Sequence, residues 1–208
     1  MKRKILMIGD NKNSKWHPLK GFDAVISSIF TEDEITISDD DQQLNKSVIS
    51  SYDACIILLD QWEVLDSGKV EGIHSFVREG KGVLMIHQGI SLQVNSSLCS
   101  LIGGKFTGHP EQKLLRYILV KNRFSLGTGI NYFEAIEEPY RCEIDPLSNP
   151  EVIMQYDDDQ GVSIPAGWAH HYGLGKVCYL SPGHRIETFY LEEYRLLIKQ
   201  AIDWLTTK

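Results

Sequence analysis

The segment Tyr52-Asp53-Ala54-Cys55-Ile56-Ile57-Leu58-Leu59-Asp60 constrains this chain more than any other. A continuous apolar run of that length, closed by aspartate, predicts a strand covered on both faces, and strands of that kind belong to parallel sheets. Two shorter runs repeat the pattern, Lys4 to Ile8 before Gly9-Asp10 and Gly82-Val83-Leu84-Met85-Ile86 before His87. Between them Phe22, Val25, Ile26, Ile29 and Phe30, and then Val70, Ile73, Phe76 and Val77, recur at helical spacing, the second set stopped by Glu79-Gly80. Strands joined by helical crossovers predict a doubly wound α/β sheet, mostly parallel, with helices on both faces in the flavodoxin-like manner. The runs at Ile5 to Ile8, Ile56 to Leu59 and Val83 to Ile86 are expected to be neighbours, and Ile35 to Ser38 to be a brief further strand.

The second half is less regular. Leu98, Leu101 and Ile102 predict a short helix closed by Gly103-Gly104, Leu114 to Val120 alternates like an edge or meander strand, and Gly127 to Pro150 reads as ordered loops around a strand piece at Tyr132 to Ile136. Val152 to Tyr156, Ser163 to His170 and Lys176 to Leu180 read as strands, the last two forming a C-terminal β-hairpin insertion. An amphipathic helix is expected from about Ile186 to Leu205, with Tyr190, Tyr194, Leu197, Ala201 and Leu205 on one stripe. Without repeats or linkers, residues 1–208 are expected to be one domain.

Composition narrows the function. The 208 residues carry 21 basic and 28 acidic side chains, a formal charge of −7, so nucleic acid and anionic lipid are poor partners. The apolar run after Met1-Lys2-Arg3-Lys4 stops after four residues, too short for a signal peptide, and no stretch approaches eighteen uninterrupted apolar residues. Cys55, Cys99, Cys142 and Cys178 have no paired spacing, so the expected setting is a reducing cytoplasm. Both a monomer and a homo-oligomer are compatible with this composition.

In open parallel sheets ligands bind beyond the carboxyl ends of the strands. Those ends hold Asp10 with the loop to His17, Asp60-Gln61-Trp62, His87-Gln88-Gly89 and Pro182-Gly183-His184. Met85-Ile86-His87-Gln88-Gly89 has the form of the strand-to-helix elbow on which class I glutamine amidotransferases mount a nucleophile, but His87 fills the nucleophile slot. Amidotransfer needs a thiolate there, so glutaminase activity is not expected. The loop from Asp10 to Lys15 lacks the Ser/Thr-rich character of a flavin phosphate site, and no P-loop follows the first strand.

Five elements in order, Leu101-Ile102-Gly103-Gly104-Lys105-Phe106, His109-Pro110, Glu138 and Tyr140 in Glu-Glu-Pro-Tyr, Pro165-Ala166-Gly167-Trp168 through Lys176-Val177, and Gly183-His184, resemble the ThuA-like family, named for trehalose utilisation. The resemblance covers roughly residues 52–207. It implies a class I amidotransferase-like fold without the catalytic cysteine, a part in the metabolism of trehalose or related disaccharides, and recurrent polar positions at His87, His109, Glu138, Trp168 and His184. The expected function is to bind and convert a small sugar-derived ligand. The rival from another class is a non-catalytic amidotransferase-like binding or assembly module.

Residue chemistry adds the roles. His87, His184 and Glu138 are the candidate catalytic groups, imidazole being suited to proton transfer near neutrality. Asp10, Trp62, His109 and Trp168 are candidate ligand contacts; the two indoles offer flat faces for sugar rings, or else are ordinary core aromatics. Histidines with a glutamate are also a candidate ligand set for zinc or another divalent metal. Asp157-Asp158-Asp159 lacks calcium-loop spacing and reads as a solvated turn, and His170-His171 as an exposed hairpin pair with one ring turned to the site.

Overall fold

The computed structural model describes residues 2–12, 14, 16–60 and 62–207; Lys15 and Gln61, which belong to two of the strand-end loops, lie outside the described residues. In chain order the elements are β1 (Lys4–Gly9), α1 (Leu19–Ser27), β2 (Glu34–Ser38), α2 (Lys46–Ile49), β3 (Ala54–Leu58), α3 (Ser67–Arg78), β4 (Gly82–Ile86) and α4 (Cys99–Ile102). There follow β5 (Gly104–Gly108), β6 (Lys113–Leu119), β7 (Tyr132–Glu137), β8 (Arg141–Ile144), β9 (Glu151–Asp157), β10 (Ser163–Tyr172), β11 (Gly175–Leu180) and α5 (Glu192–Thr206).

Nine strands form one sheet in the order β2-β1-β3-β4-β11-β10-β9-β6-β7, and β5 pairs with β8 in a separate ribbon. From β2 to β11 neighbours run parallel, and from β11 to β7 they run antiparallel. The three apolar runs are adjacent parallel strands. Side chains alternate across the sheet, so Ile5, Met7, Ile56 and Leu58 pack with Phe22, Ile26 and Leu197 in one layer. Leu6, Ile8, Cys55 and Ile57 pack with Ile73, Phe76 and Leu101 in the other. The start of α3 is fixed by Asp66, whose carboxylate accepts the Gly68 and Lys69 amides at 3.0 and 3.1 Å, a cap of about 1 kcal/mol.

The antiparallel half departs from the sequence expectations in particular places. The pair β10–β11 is built into the sheet rather than added to it, because β11 also lies parallel to β4 and closes the wound half. β6 is an interior strand, with β7 outside it as the edge. The Gly127 to Pro150 stretch contains β8 as well as β7; four residues of alternating exposure were too short to read as a strand. The last helix begins at Glu192, six residues late, after a 3-10 turn at Ile186–Tyr190. That turn is held off the helix axis by the Thr188 hydroxyl, which donates to Glu137, so Tyr190 leaves the buried stripe and is 62% exposed.

Candidate active site at the sheet's carboxyl edge

The elbow is real, and a histidine occupies it. His87 follows β4 with φ +47°, a conformation that costs a non-glycine residue of order 1 kcal/mol or more and persists only where its surroundings demand it. The chain then dives so close to β3 that a Cβ on Gly89 would lie 2.5 Å from the Ile57 carbonyl oxygen. Gln88 donates to the Leu58 carbonyl and Ser91 to the Leu59 carbonyl at 2.9 Å each, tying the elbow to the end of β3.

His87 meets three other groups. Among the described residues His17, His87, Glu138 and His184 each offer one ligand atom, all within 4.8 Å of one another. Four elements bring them together: the loop after β1, the elbow after β4, the residue after β7, and the turn after β11. Glu138 is the hub. Its Oε2 lies 3.3 Å from His87 Nε2 and 3.7 Å from His109 Nε2, and its Oε1 lies 3.3 Å from His184 Nδ1.

Each imidazole is oriented from behind. The His87 Nδ1–H donates to the Ser181 carbonyl at 2.7 Å, which leaves its fully buried Nε2 without a hydrogen-bond partner. The His17 Nδ1–H donates to the Asp60 carboxylate at 3.0 Å, and Ser14 and Trp62 also donate to Asp60. His17 Nε2 sits 2.8 Å from His184 Nδ1, and His184 Nε2 is 2.7 Å from the Gln112 side-chain amide. Beneath the turn, Glu137 is fully buried and accepts the amides of Gly183, His184 and Arg185 at 3.1, 2.9 and 3.4 Å, along with the Thr188 hydroxyl. Two adjacent glutamates thus divide the work: Glu137 builds the turn that carries His184, and Glu138 faces it.

The electrostatics follow from burial and neighbours. Burial alone would raise the Glu138 carboxyl, but the adjoining imidazoles of His184 and His87 outweigh it and hold the group well below the ordinary range. Burial lowers His87, only partly opposed by Glu138. His184 is raised by its contact with Glu138 against a smaller desolvation cost. Asp60 is lowered: burial pushes it up, and the hydrogen bonds from His17, Ser14 and Trp62 more than reverse that.

Of the residues picked out in sequence, His87, Glu138 and His184 converge, and His109 stands at the rim with its Nδ1 2.8 Å from the Pro110 carbonyl oxygen. Trp62 is 48% exposed and begins an aromatic wall through Phe106 and Tyr140 to His87, with ring centroids 5.9, 4.4 and 4.2 Å apart. Asp10 lies buried at the end of β1 with its carboxylate accepting the Lys12 amide at 2.8 Å; it is not among the four clustered groups. Trp168 is a correction. It is fully buried, stacks 4.4 Å from Tyr179, and donates its indole N–H to the Ile102 carbonyl at 2.7 Å, so no ring face is open to a sugar. Gly103-Gly104 is its seat: a Cβ on Gly104 would lie 2.6 Å from the indole. His170 is also corrected, buried at 1% exposure beside Gly103 rather than exposed at the hairpin. Asp158 accepts the Gln160 and Val162 amides at 2.9 Å, which makes the aspartate run a turn.

Sequence reading passed over His17, Gln112 and Glu137. The position of His17 beyond the first strand was its only signal, and the alternation of β7, which turns residue 137 inward, was the signal for Glu137. Among the described residues the four clustered groups could hold a metal ion, no cysteine is among them, and Cys55 and Cys178 are buried inside strands.

Solved structures share this fold. A ThuA-like protein from Parabacteroides merdae ATCC 43184 is similar with a TM-score of 0.81 at 14% identity, over 100% of this chain and 91% of that one. A second from Bacteroides uniformis ATCC 8492 is similar with a TM-score of 0.78 at 17% identity, over 99% and 92%. A cytoplasmic protein from Salmonella typhimurium LT2 follows with a TM-score of 0.70 at 15% identity, over 98% and 100%. No curated protein matches the chain. No helix among the described residues is long and apolar enough to cross a membrane. The profile of the ThuA family, described as trehalose utilisation, matches residues 5–205, and the chain belongs to that family.

Proposed function

We propose that this chain binds a small, neutral sugar-derived ligand at the His17, His87, Glu138 and His184 cluster and converts it without a cysteine nucleophile. One observation carries the reading: a strained elbow that mounts nucleophiles in related folds here presents His87 to a glutamate and two further imidazoles, at the sheet edge where such folds bind ligands. A hydroxyl or carbonyl oxygen entering past Trp62 and His109 would meet Glu138 and His184, groups suited to moving its proton, while the exposed indole of Trp62 receives the apolar face of the ring. Zinc is among the ions that would suit the same groups. Family membership supports the sugar assignment, and trehalose and related disaccharides are the first ligands to test.

The test is incubation with a panel of neutral disaccharides and their oxidised derivatives, in the presence of added zinc and with conversion followed by proton NMR. At least one should be converted, with the rate lost in Glu138→Gln and retained after alkylation of accessible thiols. Saturable binding without conversion would favour the binding-module alternative, and loss of turnover on alkylation of a still-folded protein would refute the histidine-based chemistry.

A further inference from the structure

The proton inventory of the cluster points beyond acid–base chemistry. The Ser181 carbonyl can only accept, so neutral His87 carries its proton on Nδ1 and turns a bare lone pair on Nε2 towards the Glu138 carboxylate, 3.3 Å away. Two acceptors face each other with no hydrogen bond between them, the imidazole fully buried and the carboxylate nearly so. Such an arrangement is costly unless a positive charge lies between them. The Asp60 carboxylate likewise fixes the proton of His17 on Nδ1, so a second lone pair, on Nε2, points inward.

We propose that His17 Nε2, His87 Nε2, His184 Nδ1 and a Glu138 carboxylate oxygen bind one divalent first-row transition metal ion. This rests on the reading that the cluster is the functional site. Ligands about 2.1 Å from a metal stand about 3 Å apart when at right angles and about 3.4 Å apart in a tetrahedron. The separations of 2.8 Å (His17 Nε2 to His184 Nδ1), 3.3 Å (His87 Nε2 to Glu138 Oε2) and 3.3 Å (His184 Nδ1 to Glu138 Oε1) are close to those spacings, and the four ligand atoms, one from each residue, lie within 4.8 Å of one another, so a bound ion would draw the widest pair together. Three imidazoles and one carboxylate suit zinc, iron or cobalt rather than magnesium or calcium, which prefer oxygen. Each imidazole also has the partner behind it that metal-binding histidines usually have: Asp60, the Ser181 carbonyl and Gln112.

Gln112 makes the site convertible. With its amide N–H donating to His184 Nε2, the proton of His184 sits on Nδ1 and donates to His17, which completes a metal-free relay from Gln112 through His184 and His17 to Asp60. When the amide turns over, its oxygen accepts a proton on His184 Nε2 instead. The proton then leaves Nδ1 for Nε2 of the same ring, and the third lone pair is released to the metal with no net change in charge on the protein.

The test uses chelator-stripped full-length protein titrated with zinc by calorimetry and with cobalt by visible absorption. One ion per chain is expected, together with a cobalt d–d spectrum of nitrogen and oxygen ligation. His87→Gln and His17→Gln should each weaken zinc binding by at least about 100-fold, and Asp60→Asn and Gln112→Leu by about 10- to 100-fold. His171→Ala, on the exposed hairpin, should leave it unchanged. Folding of each variant is checked by circular dichroism, and Glu138→Gln, a near-isosteric change at a partly exposed side chain, serves if a buried-histidine variant fails to fold. Absence of one-to-one binding, or binding indifferent to both Asp60→Asn and Glu138→Gln, would overturn the proposal. Sugar conversion without one-to-one zinc binding would overturn the metal while leaving the sugar function standing; one-to-one zinc binding with no sugar converted would do the reverse.

Discussion

The two halves of the sheet stabilise themselves differently. In β1-β3-β4-β11 the strands are covered on both faces, and every residue of β3 and β4 is buried. In β6 and β7 only alternate residues are buried, and Leu114, Tyr132 and Ile136 stand 64, 51 and 49% exposed on the outer face. The wound half supplies His17, His87 and His184 from its carboxyl-end loops, whereas the antiparallel half supplies Glu138 from the end of its edge strand. The site lies on the seam, so its histidines are set by a rigid core and its carboxylate by a half-covered sheet.

The largest effect that would test this division concerns two tryptophans of similar sequence appearance. Trp168→Ala should cost about 3–5 kcal/mol in a urea titration, since it empties a fully buried site and strands the Ile102 carbonyl. Trp62→Ala should cost less than about 1 kcal/mol, because the ring is half exposed, and should instead weaken ligand binding. Equal stability losses would erase the distinction between the core indole and the site indole.

The paired glutamates come next. Glu137→Ala should lose about 2–4 kcal/mol, since it leaves three backbone amides and a hydroxyl without their buried acceptor. Glu138→Gln should change stability far less while abolishing function. If Glu137→Ala folds as well as wild type, the turn carrying His184 is held by something other than that carboxylate.

Legibility in the sequence follows the same division. The parallel strands were readable because burial on both faces leaves an unbroken apolar run, and their ends named His87 and His184 directly. Glu138 and His109 were reached only through the family resemblance, since no periodicity marks a residue just past an edge strand. Trp168 misled because a core aromatic and a ligand-stacking aromatic are the same letter; the clue was Gly103-Gly104, whose missing side chains make room for the indole. His17, marked only by its place beyond the first strand, and Gln112, not marked at all, were hard to read for a different reason. They reach the site from irregular loops, and their place depends on Asp60 and His184, which lie far away in the chain.

A smaller effect separates buried from site histidines by the sign of their pH dependence. Burial pushes the His170 imidazole down to about 4, only partly offset by the nearby backbone of Leu101 and Ser100. Above pH 6.5 both folded and unfolded states hold it neutral; below that the unfolded chain takes up a proton that the folded chain refuses. Stability from His170 is therefore intact above 6.5 and lost as pH falls towards 4, by about 2 kcal/mol between pH 6.5 and 5. His184, raised by Glu138, slopes the other way, its contribution present below 6.5 and lost as pH rises through the folded value. Urea midpoints of wild type and His170→Leu at pH 7, 6 and 5 isolate the first slope, and parallel curves for the two proteins would count against it.

The smallest expected effect is at the thiols, two of which, Cys55 and Cys178, lie in strands of the wound half. Burial pushes Cys55 and Cys178 well above the usual thiol range and Cys142 up to about 12, so none offers appreciable thiolate at pH 8. Cys99 is half-buried, with its Sγ 3.4 Å from the Gln93 carbonyl oxygen and outside the clustered groups. Iodoacetamide at pH 8 should therefore modify the native protein slowly, reaching Cys99 before the others, while the fully unfolded chain takes up four equivalents. Mass spectrometry counts the adducts, and thermal melting of the modified protein should move by no more than a degree or two, since a surface substitution changes stability by about 0.5 kcal/mol or less. Rapid native labelling of Cys55 or Cys178 would mean that the parallel half opens locally, and the rigidity assigned to the histidine side of the seam would have to be given up.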